Sequence, residues 1–314
     1  MDGPGGTQTD FRAGFCAIVG RPNVGKSTLM NRLLGQKLAV VTPKPQTTRN
    51  RILGVKNRPG AQVVYVDTPG IHKAKSSLNK YMVEQALAAA GECDVILLLV
   101  EAPRLGAEAL QAGFEPGEGN RAILAELGRI HRPKVLGVNK VDLLAEKHAL
   151  LPLIEVYSKL ATWDEVVPIS ARDGEGVEAL ETAVVARLPP GPALYPEEML
   201  TDRAERFLAA ELVREQTYLL LSDELPYSVA VTIDRFEERA EKKDVVIDAV
   251  IHVERDSQKR IVVGEGGRMV KEIGTRARGE IAKLLGVPTH LKLFVRVDAN
   301  WTQTQKTLRR LGYE

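Results

Sequence analysis

Gly20-Arg21-Pro22-Asn23-Val24-Gly25-Lys26-Ser27 sets two glycines, a lysine and a hydroxyl at the spacing G-x-x-x-x-G-K-S. That spacing suits a polyphosphate. The glycines allow a tight loop whose backbone N–H groups point inward at phosphate oxygens, the lysine reaches the β and γ phosphates, and the serine hydroxyl ligates Mg²⁺. Gly20, Asn23, Val24, Gly25, Lys26, Ser27 and Thr28 are the phosphate-binding candidates, helped by the N-terminus of the helix that follows. A second cluster, Asn139-Lys140-Val141-Asp142, follows an apolar run. The Asp142 carboxylate can accept both the N1–H and the N2 amine of guanine, and adenine offers no such pair of donors, so ATP would leave a carboxylate unpaired. The stem of Lys140 can lie over the base, and Asn139 can brace the phosphate loop. Ser170-Ala171, after another apolar run, would present a backbone N–H to guanine O6, with Arg172 next in line.

Asp67-Thr68-Pro69-Gly70 fits D-x-x-G. Asp67 is placed to hold Mg²⁺ through water, and the Gly70 N–H to sense the γ-phosphate. Between these motifs, Pro45-Gln46-Thr47-Thr48-Arg49 supplies a threonine for the metal shell. Both Thr47 and Thr48 are candidates, and Thr48 is favoured. Such contacts order loops with GTP and release them on hydrolysis. The position after D-x-x-G, where Ras-like proteins carry a water-orienting Gln, is Ile71. No catalytic side chain is assigned, and slow intrinsic hydrolysis is expected. Asn23 occupies the place it has in GTPases that use K⁺ instead of an arginine finger. An asparagine also suits a turn for backbone reasons alone, so K⁺ stays open.

These residues need a scaffold that gathers loop ends. Short apolar runs at Phe15–Val19, Val63–Val66, Val95–Val100, Val135–Val138 and Val166–Ile169 alternate with helical patterns near Ser27–Leu34, Leu78–Ala90, Arg121–Ile130, His148–Leu160 and Val177–Arg187. The alternation predicts an α/β, doubly wound parallel sheet, with ligands beyond the carboxyl ends of its strands. It stops at a proline-rich run beginning at Leu188. The expected organisation is a disordered tail over 1–12, a nucleotide-binding domain over 13–188, a linker over 189–202 and an α+β domain over 203–314. Arg104–Asn120 reads as a surface loop without assigned function.

The last domain reads helix–strand–strand–helix–loop–helix–strand–helix. Its loop, Gly264-Glu265-Gly266-Gly267, matches G-x-x-G, and apolar residues at Val270, Ile273, Ala277, Ile281 and Leu284 form one stripe of the following helix. Between Arg255 and Arg296 ten basic residues face four acidic ones, a local excess of six in a chain of net charge +2. Such a hinge lets backbone approach a single-stranded sugar-phosphate chain while the bases lie in an adjoining groove. Gly264, Glu265, Gly266, Gly267, Arg268 and Lys271 are the RNA-binding candidates.

The whole chain has 314 residues, of which 44% are hydrophobic and 27% charged, which excludes a disordered or collagen-like bulk. With 43 basic against 41 acidic residues it is no polycation, so nucleic-acid binding must come from a local patch. The two cysteines, Cys16 and Cys93, form neither a disulfide framework nor a zinc site. No signal peptide or membrane span is evident, and a cytoplasmic location is expected.

The motif set, with Tyr195-Pro196-Glu197, Arg206-Phe207, Ser228-Val229-Ala230-Val231 and Leu311-Gly312-Tyr313, resembles the Era family of bacterial GTPases along nearly the full chain. The resemblance implies a P-loop GTPase domain followed by a type II KH domain. It also implies a monomer that binds GTP and GDP with Mg²⁺ and assists maturation of the 30S subunit. Its KH domain would bind near the 3′ end of small-subunit (16S) ribosomal RNA, with peripheral association at the inner membrane. Glu265 departs from the pattern, since a basic or neutral residue is more usual there, and its charge opposes phosphate. Two other readings compete. One is an RNA-binding assembly factor that holds GTP only structurally. The other is a GTPase of tRNA modification, whose relatives carry a catalytic Cys near the C-terminus, whereas this chain has none after Cys93.

Overall fold

The structure is a computed structural model that describes residues 11–45, 47–72, 76–103, 108, 114–144, 146–221 and 225–313. Residues 1–10 of the expected tail, Gln46 and most of the 104–120 loop lie outside the described residues. The chain divides into two compact units. One comprises Met1–Gln36, Arg51–Ile71 and Gln85–Asp202, and the other Lys37–Asn50, His72–Glu84 and Arg203–Glu314. Where the sequence reads 13–188 as one stretch, two of its segments therefore belong with the second unit. The reason lies in their side chains: Lys37 pairs with Glu215 at 2.6 Å, Arg49 donates to the Tyr218 hydroxyl at 2.6 Å, and Tyr81 packs edge-on against Tyr313.

The first unit holds strands β1 (Arg12–Gly20), β2 (Ile52–Arg58), β3 (Ala61–Asp67), β4 (Val95–Glu101), β5 (Lys134–Asn139) and β6 (Glu165–Ile169) in one sheet, in the order β2-β3-β1-β4-β5-β6. Only β2 runs antiparallel to its neighbour. Helices α1 (Lys26–Leu34), α2 (Ser77–Glu92), α3 (Glu118–Leu127), α4 (Leu150–Leu160) and α5 (Val177–Val185) follow the strands, and the division into units falls within α2. β4 buries every residue except Glu101, as a strand covered on both faces must. β2 has no counterpart in the sequence reading. Gly54 interrupts its apolar run and its last three residues are only half-buried, so neither alternation nor a continuous run marks it.

Two boundaries differ from the expectation. β1 starts at Arg12, inside the stretch read as tail, because the Arg12 N–H donates to Gly60 O at 3.0 Å and its guanidinium to Leu188 O at 2.6 Å. The proline-rich stretch is also tied down rather than standing off as a spacer. Gly191 N–H donates to Phe11 O at 3.0 Å and Val55 N–H to Leu200 O at 2.7 Å. The fully buried Gln62 side chain donates to Tyr195 O at 2.8 Å and accepts from the N–H groups of Leu194 and Tyr195 at 2.7 and 2.9 Å.

The second unit holds α6 (Glu205–Leu220), β7 (Ala230–Arg239), β8 (Asp244–Val253), α7 (Asp256–Val263), α8 (Arg268–Leu285), β9 (Thr289–Val297) and α9 (Gln305–Arg310). Its sheet has the order β7-β8-β9, antiparallel then parallel, with an irregularity at Ile233/Arg235. Ile273, Ala277 and Ile281, one turn apart on α8, are fully buried against Ile247, Ala249 and Ile251 of β8. Both units have the α/β and α+β architectures the sequence predicts. Among the described residues no helix is long and apolar enough to cross a membrane.

Candidate functional site

Parallel strands bring their carboxyl ends to one edge of a sheet, and the candidate residues of the first unit sit there. β1 ends at Gly20, β3 at Asp67, β5 at Asn139 and β6 one residue before Ser170. The order of strands reverses around β1, where a ligand crevice forms in such sheets.

After β1 the backbone turns through Asn23 (φ 63°) and Gly25 (φ 100°) into α1. A Cβ on Gly25 would stand 2.3 Å from Asn139 Nδ2, so glycine is required by space as well as by dihedral. Val24 is buried and Thr28 half-buried at the start of the helix. Lys26 is 6% exposed, and its ammonium donates to the carbonyls of Gly20 (3.3 Å) and Arg21 (3.0 Å). Burial pulls its pKa down to about 8, with Asp67 opposing. Ser27 Oγ donates to Asp67 Oδ2 at 2.6 Å, and Asp67 is fully buried. A hydroxyl and a carboxylate are hard oxygen donors, which fits Mg²⁺. Among the described residues no group of three or more His, Cys, Asp or Glu could hold a metal ion. Gly70 is buried, and a Cβ there would meet Pro22 at 2.6 Å. Ile71 is 8% exposed and its N–H donates to Gly20 O at 3.0 Å.

Asn139 joins the two loop systems. Its Nδ2 donates to Val24 O at 2.7 Å and its Oδ1 accepts the Ala171 N–H at 2.9 Å. That N–H, expected to face guanine O6, is thus used by Asn139. Ser170 Oγ donates to Asp142 Oδ1 at 2.7 Å. Lys140 adopts φ 69° and pairs with Glu101 at 2.9 Å. Sequence reasoning gave no role to two arginines here. Arg172 reaches Asp142 Oδ2 at 2.9 Å and hydrogen-bonds Asp173, holding the Asp173 carboxyl below its usual range. Arg32 donates to Ala171 O at 3.3 Å and also to Arg172 O. Arg32 has no local motif, since it acts across 139 residues of sequence.

Thr47 and Thr48 both belong to the second unit. The Thr47 hydroxyl is engaged in its own turn, donating to Lys44 O at 2.7 Å beside Thr42 Oγ1 at 2.6 Å, while Thr48 is 7% exposed.

The G-x-x-G segment links α7 to α8 through one tight turn, with φ of 71°, 60° and 79° at Gly264, Gly266 and Gly267. Such dihedrals leave backbone uncovered for a close approach. Glu265 is not an isolated charge, because Arg268 pairs with it at 2.7 Å. Lys271, one turn further along α8, is exposed.

A family described as 50S ribosome-binding GTPase matches residues 15–140, and a KH domain family matches residues 224–302. The chain is 50% identical to the GTPase Era of Geotalea uraniireducens across 98% of its own length and 100% of that relative's. It is 47% identical to the GTPase Era of Lacticaseibacillus paracasei across 97% and 98%. Among solved structures, a single-site variant of Aquifex aeolicus Era bound to GDP·AlF4⁻ superposes with a TM-score of 0.89 at 40% identity, covering 96% of this chain and 99% of that one. Era in complex with MgGDPNP and nucleotides 1506–1542 of 16S ribosomal RNA gives 0.89 at 39% identity, with the same coverage.

Proposed function

Because this chain belongs to the Era family of GTPases, we propose that it is a GTP-operated RNA switch of small-subunit assembly. The first unit hydrolyses GTP, and the KH domain grips a single-stranded segment near the 3′ end of 16S ribosomal RNA. The supporting observation is that one chain combines nucleotide loops cross-braced by Asn139 with an open G-x-x-G hinge. The related Era that holds MgGDPNP and a 16S segment together adds to it.

In this reading Lys26 exchanges its loop carbonyls for the β and γ phosphates, and the Gly20–Thr28 backbone cradles them. Ser27 would hold Mg²⁺ directly, and Asp67 would face it through water. When bound, Mg²⁺ neutralises charge on the phosphoryl oxygens. Asp142 reads the N1–H and N2 amine of guanine, Asn139 keeps the base loop and phosphate loop in register, and the stem of Lys140 covers the ring. Gly70 senses the γ-phosphate by its N–H. The Ile71 side chain cannot orient water, so intrinsic turnover is slow, and K⁺ beside Asn23 is the proposed substitute for a finger. Replacing Na⁺ by K⁺ in a GTP-turnover assay is expected to raise the rate, and an unchanged rate removes K⁺ from this role. A monomeric state and peripheral contact with the inner membrane belong to the same reading, on the family resemblance alone.

GTP favours the RNA-gripping form and hydrolysis releases the RNA. The test is a titration of a synthetic RNA carrying nucleotides 1506–1542 against the chain loaded with MgGDPNP or GDP. Tighter binding with MgGDPNP supports the switch. Equal affinities end it.

A further inference from the structure

A carboxylate that must meet two guanine donors at once needs its plane fixed, because its last torsion is broad and otherwise lets it swing. In Asp142 each oxygen has its own donor. The Ser170 hydroxyl reaches Oδ1 at 2.7 Å, and Arg172 Nη2 reaches Oδ2 at 2.9 Å. A carboxylate offers about four acceptor sites. These donors take one site on each oxygen and leave one on each for the N1–H and the N2 amine.

Both donors stand on one closed turn after β6. The Ser170 N–H donates to Glu175 O at 2.9 Å, and the Gly174 N–H to Ser170 O at 2.7 Å. The Asp173 N–H donates to Ser170 Oγ at 3.1 Å, so that hydroxyl accepts on one side and gives its proton to Asp142 on the other. The Arg172 guanidinium is held as well. Its Nε and Nη2 donate to the two oxygens of Asp173 at 2.9 and 3.1 Å, so Nη2 bridges Asp173 and Asp142. Arg32 of α1 donates to the carbonyls of Ala171 and Arg172, which ties the turn to the helix that the phosphate loop opens. All of these residues lie in the first unit.

Exposure separates the two contacts of Arg172. Its side chain is 66% exposed and that of Asp173 51%, a surface pair of little worth by itself. The Asp142 side chain is only 9% exposed. The surface pair therefore serves as an anchor from which a planar fork reaches a carboxylate that solvent hardly touches. Such a contact is charge-assisted and has a fixed direction, which a lysine ammonium cannot reproduce.

We propose that Arg172 is a positioning residue that sets guanine specificity: together with Ser170 it fixes the plane of the Asp142 carboxylate towards the N1–H and the N2 amine. The inference rests on the reading of Asp142 given above and names what makes that reading selective.

The experiment uses the full chain and displaces a fluorescent GDP analogue with GDP or with inosine diphosphate, which keeps N1–H and lacks the N2 amine. The ratio of dissociation constants, inosine over guanosine, then reports the amine contact. The variants are Arg172→Met, Arg172→Lys, Asp142→Ala and the Asp142→Ala/Arg172→Met pair, each checked for cooperative thermal unfolding. Arg172→Met is expected to lower the ratio by about 2- to 5-fold with the thermal midpoint unchanged. Arg172→Lys keeps the charge without the fork and is expected to restore at most part of it. On the Asp142→Ala background Arg172→Met is expected to change nothing more, because Arg172 acts through that carboxylate. A wild-type ratio of one, or one that survives Asp142→Ala, overturns the reading of Asp142 and this inference with it. A ratio that is lost in Asp142→Ala but stays the same or rises in Arg172→Met overturns this inference alone. Full restoration by Arg172→Lys assigns the effect to charge and overturns the positioning role, as does a further change in the double variant.

Discussion

The phosphate loop and the G-x-x-G loop are both glycine turns that open a helix, yet they are built in opposite ways. The first is braced from behind. Asn139 holds Val24 O and the Ala171 N–H, Lys26 is buried over loop carbonyls, and Ser27 meets a fully buried Asp67. The second stands in solvent, with its one ion pair, Glu265–Arg268, largely exposed on both sides. A braced loop presents fixed donors to a ligand of one shape, as a nucleotide requires. An open loop offers bare backbone to a flexible chain whose sequence is read elsewhere. Substitutions in the first loop should therefore change selectivity, affinity and stability together. In the second they should change affinity alone.

The largest expected effect falls on base choice. Asp142→Asn removes the acceptor pair for guanine N1–H and N2, and loss of such a buried match costs about 10⁴-fold in selectivity. Competition between GDP and XDP should then favour xanthine, and unchanged guanine preference would remove Asp142 from its role. Next comes Lys26→Ala, expected to cost about 2–5 kcal/mol of nucleotide affinity, since it removes the buried partner of the phosphates. Calorimetry with GDP checks it, and retained affinity contradicts the phosphate-loop assignment. Asn139→Ala should cost about 1–3 kcal/mol for each of the two backbone groups it leaves unpaired. Denaturant unfolding of the nucleotide-free chain would show the loss, and a neutral result would mean that the two loops do not need their brace.

A smaller effect follows from pH. The folded pKa of Lys26, about 8, lies below its ordinary 10.5. Between these values the unfolded chain binds more protons, so the Lys26 contribution makes stability rise with pH there, by up to about 1.4 kcal/mol per unit. It is flat below pH 8, where both forms are protonated. GDP binding should weaken over the same window, because the nucleotide needs the ammonium. Chemical denaturation at about pH 7.5 and about pH 9.5, with Lys26→Met as control, checks the sign. The smallest expected effect is in the open loop. Glu265→Gln removes a charge that Arg268 already offsets, so RNA affinity should rise only about two- to five-fold at low salt, with no change in thermal midpoint. A large loss of stability there would erase the contrast between the loops.

Much of this was legible in the sequence because it is local. Each nucleotide motif follows an apolar run, and parallel strands gather their ends, so Gly20, Asp67, Asn139 and Ser170 had to share an edge once the α/β alternation was read. The stripe Ile273, Ala277, Ile281 likewise announced α8. What remained hidden was long-range or masked by composition. The partners of Arg49 are 169 and 264 residues away, so nothing around P-Q-T-T-R shows that its arginine is buried in an aromatic box. Gln62 holds a segment more than 130 residues distant, which is why residues 189–202 read as a linker. Arg172 is only the next residue after Ser170-Ala171 in the sequence, until its guanidinium is seen on Asp142.

The central claim, a GTP-bound reader of the 3′ end of 16S ribosomal RNA, is tested most directly by crosslinking the chain to RNA in its own cells. The bound fragments are sequenced for the wild type and for Gly266→Asp. The account predicts a peak at the 3′ end of the small-subunit RNA that disappears in the variant while GDP affinity stays the same. A peak on the large-subunit RNA, or a 16S peak that survives Gly266→Asp, would contradict it.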